Sequence, residues 1–260
     1  MKRIALGIEY DGAPFQGWQS QPHGNTLQDT LECALTKVAG TPVRLTCAGR
    51  TDAGVHALAQ VAHFDSSVER PEQAWIRGAN AHLPDSIAVR WAQPVAGDFH
   101  ARFSALARSY RYLLHSHAVR PALNHDRIGW CHRPLSVDAM REAAQFLLGE
   151  QDFSAFRAAE CQAKSPLKTL YQADVVRQGE LIIFDFRATA FLQHMVRNIV
   201  GALIYVGKGK HPPAWISELL ASRKRTLAAP TISAAGLYFA GVEYPPQYGL
   251  PNTPNNTALI

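Results

Sequence analysis

The residues of this chain best placed to do chemistry lie in a polar, glycine-flanked turn, Gly49-Arg50-Thr51-Asp52-Ala53-Gly54-Val55-His56-Ala57. The segments on either side, 43–48 and 58–64, alternate apolar and polar residues and predict paired strands. Arg50 and Asp52 are two residues apart, so an extended backbone projects both side chains to the same side. A guanidinium beside a carboxylate orients it and stabilises its charge, which suits a nucleophile or a general base.

Asp52 also has an ordinary structural interpretation. Aspartate is common in turns because its carboxylate accepts hydrogen bonds from nearby backbone amides, and spacing alone favours that role. Gly49 and Gly54 permit backbone angles that other residues avoid, so the turn can be sharp and can approach a ligand closely. From the residues alone, Asp52 is either a reactive carboxylate or a turn residue.

The turn resembles the active-site motif of the TruA-type tRNA pseudouridine synthases, and the resemblance extends along most of the chain. The segment 10–19 resembles the family's Y-D-G-x-x-F-x-G-W-Q signature. Further segments that resemble family motifs are 99–105 with Arg108 and Tyr110, 152–157, 161–166, 191–198 and 229–237. In the last of these, Thr231-Ile232-Ser233 departs from the more usual small and proline-containing spacing.

The resemblance implies an enzyme that isomerises uridine to pseudouridine in the anticodon stem-loop of tRNA, around positions 38, 39 and 40. Such an enzyme cleaves the N-glycosidic bond and rejoins the uracil through C5, with Asp52 as the essential carboxylate. Arg50 would hold Asp52 in place, and Tyr110 would stack on the uracil and take the C5 proton. The target nucleotide must first leave the helical stack. The resemblance also implies a tRNA partner, a homodimer and no cofactor, since the isomerisation is redox-neutral.

The same resemblance assigns further residues to the substrate and to the RNA. The residues expected at the target nucleotide are Tyr110, Leu237, His56 and Arg197. The residues expected on the RNA are Trp18, Gln19, Arg102, Arg108, Lys164, Lys168, His194 and Arg197. Each kind has a structural alternative: the loop aromatic and the leucine can pack in the core, His194 can be a satisfied half-buried histidine, and the lysines can be solvated.

Two spacings make these expectations specific. Alternation places Arg108, Tyr110 and Tyr112 on one side of a strand, where a basic and aromatic face suits single-stranded RNA, although Tyr112 is expected in the core. His194 and Arg197 are three residues apart in a predicted helix and so share a face. Arg197 in an otherwise apolar helix needs a counter-charge, which Asp52 or an RNA phosphate would supply.

The order of the predicted elements indicates an α+β fold. The first half reads strand, helix, strand, strand, helix, strand, with Thr26 and Asp29 capping the first helix, and the second half repeats this order. We expect two ferredoxin-like βαββαβ halves that form a mostly antiparallel sheet, with a cleft between them and helices packed on its faces. The expected domains are 1–105 with the catalytic Asp, 106–244 completing the cleft, and a flexible Pro/Asn-rich tail over 245–260.

Composition and short motifs limit the kinds of partner, location and cofactor that the chain is expected to have. The net charge of +5 over 260 residues mildly favours an anionic partner. The N-terminus lacks a secretion signal and no apolar run is long enough to span a membrane, so a cytoplasmic location without membrane contact is expected. The four cysteines include no C-x-x-C pair, Cys33 and Cys47 are expected to be buried, and the histidines lack ligand spacing, so no metal is expected. No nucleotide-cofactor motif is present.

Two other functions remain open. A noncatalytic RNA-binding protein would use the lysines and Tyr110 but would leave Arg50 and Asp52 without a task. A phosphohydrolase with an aspartate nucleophile would need metal-binding carboxylates near Asp52, and the turn offers no further acid before Asp65.

Overall fold

The computed structural model describes residues 1–251, which fold as two compact units. The first unit contains Met1–Leu106 and the described residues from Phe239 to Pro251, and the second contains Ala107–Tyr238. The described residues hold ten strands and five α-helices, a mixed α+β fold. The last strand was predicted to belong to the second half, but most of it lies in the first unit.

The first unit is a strand-and-helix layer in the predicted order. Its elements are β1 (Lys2–Tyr10), α1 (Leu27–Ala39), β2 (Thr46–Cys47), β3 (His56–Ser66), α2 (Glu72–Asn80) and β4 (Ile87–Val95). β1 pairs antiparallel with both β3 and β4, and β2 pairs antiparallel with β3. The last strand, β10 (Leu237–Glu243), also lies beside β3. The paired strands β1 and β3 are therefore central in the sheet of this unit, and the segment 10–19 and the Asp52 turn are attached to their ends.

Helix α1 begins at the cap that the sequence predicts and ends at a glycine. The hydroxyl of Thr26 accepts a hydrogen bond from the Asp29 amide at 3.2 Å and donates to the Asp29 carboxylate at 2.5 Å. Gly40 takes a left-handed conformation with φ 71°, and its N–H donates to the Thr36 carbonyl. These caps satisfy backbone groups that a helix end leaves unpaired, while the apolar face with Leu31 and Leu35 is buried.

The substitution Thr26→Ala tests this cap. It removes the acceptor for the Asp29 amide, so we expect the free energy of unfolding to fall by about 1 kcal/mol, measured by chemical denaturation. Thr26→Ser should retain most of the stability, and Thr41→Ala, at an exposed position just after the helix, serves as the control. Equal stability of Thr26→Ala and wild type would contradict the capping role.

The second unit contains the remaining elements: β5 (Ala107–Ser116), β6 (Gly129–Cys131), α3 (Val137–Gln145), β7 (Gly149–Asp152), β8 (Leu167–Gln178), β9 (Leu181–Ala188), α4 (Met195–Gly207) and α5 (Trp215–Ser222). β9 lies between β5 and β8 and is antiparallel to both. β7 pairs antiparallel with β8. β6 pairs with β5 in parallel. β8 and β9 form an antiparallel hairpin.

Helix α4 begins later than its apolar pattern predicts. It starts at Met195, because His194 takes a left-handed conformation with φ 61° and occupies the N-cap position. The prediction that His194 and Arg197 share a helix face is therefore wrong. The spacing of apolar residues suggested an earlier start, because Leu192 is also buried although it lies before the helix.

Two smaller expectations also need correction. Cys33 is exposed rather than buried, while Cys47 is buried as predicted. The start of the expected flexible tail packs on the first unit: the Gln93 amide donates to the carbonyls of Tyr248 and Gly249, and the Tyr248 ring lies 5.1 Å from that of Phe99. The remaining tail positions, 252–260, lie outside the described residues. No helix within residues 1–251 has the length and apolar character needed to cross a membrane.

Candidate active site

The Asp52 turn is anchored by a buried threonine. Thr51 is 6% exposed, and its hydroxyl lies 2.8 Å from the Tyr10 hydroxyl at the end of β1. Its carbonyl accepts a hydrogen bond from the Trp18 amide at 3.0 Å. On β3, the Gln60 side chain donates to the Gly49 carbonyl at 2.7 Å. The turn is therefore held at its start and at its centre by buried groups of the first unit.

Anchoring Thr51 inward leaves its two charged neighbours on the outer side of the turn. Arg50 is exposed and Asp52 is partly exposed, whereas Thr51 between them is buried. The Asp52 carbonyl accepts from the Val55 amide at 3.2 Å, and Gly54 takes the left-handed conformation with φ 75°. The partial exposure of Asp52 leaves its side chain within reach of a ligand.

The segment 10–19 packs directly against this turn. A Cβ on Gly12 would lie 1.9 Å from the Val55 carbonyl oxygen, and a Cβ on Gly17 would lie 2.9 Å from that of Thr51. The Gly12 amide donates to Nδ1 of His56 at 3.1 Å, and an Asp11 carboxylate oxygen lies 3.0 Å from the same nitrogen. The two glycines thus permit a backbone contact that no side chain would allow.

Three predicted contact residues are buried instead. Trp18 is 1% exposed and packs near the Tyr10 ring, which agrees with the structural alternative of a loop aromatic in the core. His56 is 2% exposed and holds the 11–12 segment rather than presenting its ring to a substrate. Leu237, in the second unit, is 4% exposed and packs in the core. Gln19, by contrast, is exposed.

The substitution Gly12→Ala tests the contact between segment 10–19 and the turn. Because the new Cβ would meet backbone rather than a flexible side chain, we expect a loss of about 2 kcal/mol or more in unfolding free energy and a large loss of activity. Gly97→Ala is the control, since nothing lies within 4 Å of a Cβ at that position. Wild-type stability and turnover in Gly12→Ala, measured by denaturation and initial rates, would contradict the packing.

In the second unit, strand β5 carries Tyr110 in a partly open setting. Tyr110 is partly exposed, and its ring meets that of Phe191 edge-on at 4.9 Å. Arg108, on the same side of the strand, donates to the Thr189 carbonyl at 3.0 Å. Tyr112 is fully buried, its hydroxyl donates to the Ser233 carbonyl, and burial raises its pKa. Tyr112 is therefore core, as predicted, and Tyr110 keeps a surface that a base can reach.

The lysine loop that follows β7 is fixed by an arginine. Arg157 donates to the carbonyls of Cys161 and Ala163, the latter at 2.9 Å. Lys164 is exposed, while the ammonium of Lys168 donates to two loop carbonyls at 2.7 Å each. Burial lowers the pKa of Lys168. The loop thus presents one open cation and one that its own backbone partly holds.

The polar residues of α4 bind the chain that precedes β10. Arg197 donates through Nε to the Ile232 carbonyl at 2.8 Å. Asn198 is 0% exposed; its amide donates to the Phe156 carbonyl, and its oxygen accepts from Thr231 at 2.6 Å and from Arg225 at 3.0 Å. The sequence reasoning missed Asn198 and Arg225 as structural residues. The available signal was an amide inside an apolar helix, which must find partners when buried.

The candidate reactive residues are divided between the units, with Arg50 and Asp52 on the first and Tyr110 and Arg197 on the second. Within residues 1–251, no group of three or more His, Cys, Asp or Glu side chains could hold a metal ion. The Asp52 turn offers a partly exposed carboxylate and, two residues earlier, an exposed arginine, on a backbone that buried groups hold in place.

Comparison with known proteins identifies the class. The model of the tRNA pseudouridine synthase family matches residues 7–104 and 143–245, which together are more than half of the chain and include both the Asp52 turn and α4. The chain belongs to the tRNA pseudouridine synthase family. It is therefore an enzyme, an isomerase, and the predicted family is confirmed. This counts against both the noncatalytic RNA-binding protein and the phosphohydrolase.

Individual relatives agree over almost the whole length. A tRNA pseudouridine synthase A from Dechloromonas aromatica is 61% identical over 257 residues, covering 99% of this chain and 98% of the relative. One from Aromatoleum aromaticum is 59% identical over 249 residues, covering 96% and 94%. One from Paraburkholderia xenovorans is 57% identical over 251 residues, covering 96% and 93%.

Proposed function

We propose that this enzyme converts uridine to pseudouridine in the anticodon stem-loop of tRNA, around positions 38, 39 and 40, with Asp52 as the essential carboxylate. The observation that carries the assignment is the setting of Asp52. Its neighbour Thr51 is buried against Tyr10, so Arg50 and Asp52 both project from the outer side of a fixed turn. A carboxylate held in this way is oriented before the substrate arrives, as covalent or proton-transfer chemistry requires.

The reaction rearranges one nucleotide. The bond between uracil N1 and the ribose C1′ breaks, the uracil turns, and a new bond joins C5 to C1′. The hydrogen on C5 leaves as a proton and N1 gains one, so the product is an isomer of the substrate. Asp52 acts either as a nucleophile toward the sugar or base or as the base that takes a proton. Arg50 orients Asp52, and Tyr110 stacks on the uracil and receives the C5 proton.

The target uridine reacts outside the stack, and leaving the stack costs a few kcal/mol. Cations that contact phosphate and a ring that stacks on a base offset this cost. The groups proposed for this role on the partly or fully exposed surface of the two units are Gln19, Arg102, Arg108, Lys164, Lys168, His194 and Arg197. Trp18 is buried and so is not among these exposed groups.

The proposal includes a finer description of the fold. In the first unit, β4, β1 and β3 are neighbours and β2 adds to β3, which is the strand order 4-1-3-2 of a ferredoxin-like half. In the second unit, β5, β9 and β8 are neighbours in the corresponding order 1-3-2. We propose that each half is ferredoxin-like on this basis. The cleft between the halves, the homodimer and the cytoplasmic location stay predictions from the resemblance.

Asp52→Asn is the direct test of the reaction. The amide keeps the size of the side chain but removes the charge and the basicity, so we expect turnover to fall by at least about 1,000-fold, or roughly 4 kcal/mol of lost transition-state stabilisation. The assay is tritium release from tRNA labelled at uracil C5, with the modified nucleotides mapped. Asp138→Asn, at an exposed position on α3, is the matched control.

Folding and tRNA affinity should stay near wild type in Asp52→Asn, because the amide keeps the size of the side chain and the Tyr10–Thr51 hydrogen bond that anchors the turn is unchanged. Near-normal turnover would reduce Asp52 to a turn residue. Release that maps outside the anticodon stem-loop would keep the enzyme class but reject the proposed region.

Lys164→Ala and Lys168→Ala test the RNA interface. If each lysine neutralises one phosphate, each variant should bind tRNA more weakly and lower the slope of log affinity against log salt by about 1. We expect the smaller effect at Lys168, because burial lowers its pKa and its ammonium already donates to two carbonyls.

The control for the lysines is Lys37→Ala, which removes an exposed cation near the end of α1. Affinity is measured by filter binding at several salt concentrations, with folding checked by circular dichroism. If Lys164→Ala and Lys37→Ala behave alike, the loop after β7 is only a solvated face.

A further inference from the structure

An ordered loop of the first unit holds a phenylalanine in solvent. Phe103 is 76% exposed, although the loop around it is fixed by several hydrogen bonds. The Ser104 amide donates to the His100 carbonyl at 2.9 Å, and the Ser104 hydroxyl accepts from the His100 amide at 3.0 Å. Nδ1 of His100 accepts from the amides of Arg102 and Phe103 at 3.2 Å each. The loop therefore presents the Phe103 ring to solvent in a defined position, and the groups around the ring decide what it could bind.

The groups around Phe103 have the composition of a base-stacking site. The His100 ring lies 4.3 Å from the Phe103 ring at an interplanar angle of 29°, a stacked arrangement that supports one side of it. The Arg102 guanidinium lies 5.6 Å from the ring centroid. An aromatic ring with a cation beside it is the combination that single-stranded nucleic acid binds, since bases stack and phosphates pair with the cation.

The fold places this loop beside the catalytic turn, within the same unit. The Ala101 amide donates to Nδ1 of His63 at 3.2 Å, and His63 on β3 is paired with Thr46 on β2. The chain continues from β2 directly into Gly49 and Arg50. Both Arg50 of the turn and Arg102 of the loop lie close enough to Cys47 to act on its thiol. Burial raises the pKa of Cys47 to about 12, and the positive charges of the two arginines oppose that rise.

The acidic groups near the loop do not dominate its charge. Asp65 is paired with Arg3 through two hydrogen bonds of 2.8 Å, and Arg3 also donates to the carbonyls of Gly97 and Phe99. Asp98 is exposed on the same loop, and its charge acts on Arg3. The carboxylate of Asp65 is therefore already balanced, and Arg102 is the cation next to the Phe103 ring.

We propose that Phe103 is a stacking platform for an unpaired base of the tRNA substrate, with Arg102 on the adjoining phosphate. The inference deepens the proposed function and depends on it. The platform would hold a nucleotide next to the one that reacts at Asp52, and so would contribute to the binding of a single-stranded loop. It assigns a role to Phe103 that chemistry at the catalytic turn does not require.

The test compares Phe103→Leu with Phe103→Trp. Leucine keeps an apolar side chain but has no ring, so the dissociation constant for tRNA should rise by roughly 5- to 100-fold, whereas tryptophan should keep or improve affinity. Leu123→Ala, at a residue 94% exposed in the second unit, controls for loss of an exposed apolar side chain. Phe103→Leu should leave the salt slope unchanged, and Arg102→Ala should lower it by about 1.

Abasic tRNAs locate the base. A series of transcripts, each lacking one base of the anticodon loop, is measured with wild type and with Phe103→Leu. We expect one position at which the wild type loses affinity and the two proteins become equal, because ring and base form one interaction. Additive losses at every position would overturn the proposal.

The outcomes separate this inference from the proposed function. If wild type forms no pseudouridine in tRNA, the proposed function fails. If wild type is active and Phe103→Leu binds as tightly as wild type, only the stacking inference fails. If Phe103→Leu instead changes the sedimentation coefficient of the protein without tRNA, the exposed ring contacts a second copy of the chain, and the proposal is likewise overturned.

Discussion

The buried hydrogen bond between the Tyr10 and Thr51 hydroxyls is the constraint on which the Asp52 turn depends. Both residues are less than a tenth exposed, so neither hydroxyl can exchange its partner for water without cost. Burial raises the pKa of Tyr10, so the hydroxyl keeps its proton and stays available for the pair. With Thr51 fixed inward, backbone alternation puts Arg50 and Asp52 outward. This buried pair, with the Trp18 and Gln60 hydrogen bonds, fixes the backbone from which the two charged side chains extend.

The second unit uses the same device with charged and amide donors. Arg157 binds two carbonyls of the lysine loop, Arg197 binds that of Ile232, and Asn198 joins Phe156 to Thr231 and Arg225. The two arginines and the Asn198 amide donate to backbone carbonyls, which are present whatever the side chains are, whereas the Asn198 oxygen accepts from the side chains of Thr231 and Arg225. A guanidinium suits this work because its several donors reach more than one acceptor. The loops that meet RNA in the proposed function are therefore ordered by donors beneath them.

Sequence periodicity was sufficient for most of the fold, because caps, turns and apolar faces are local signals. Thr26 and Gly40 bound α1, and the β8 and β9 hairpin follows its alternation. It failed where an apolar residue is buried outside a helix, as at Leu192, and where polar side chains are buried by partners distant in sequence, as for Asn198. Such partners become visible only once the chain has folded, which is also why the pairing of segment 10–19 with the Asp52 turn was not predicted.

The buried motif residues show why a strong sequence signature does not by itself mark a contact with substrate. Trp18 and His56 lie in the two most recognisable segments, yet both are at most 2% exposed and fix one segment to the other. Gly12 and Gly17 allow the same contact, because a side chain at either position would clash with the backbone of the turn. The backbone of the Asp52 turn is therefore fixed from beneath by buried residues, Tyr10 and Trp18 of segment 10–19 and Gln60 of β3. In such a motif the buried residues set the geometry, and the proposed function places the chemistry on the residues that face solvent.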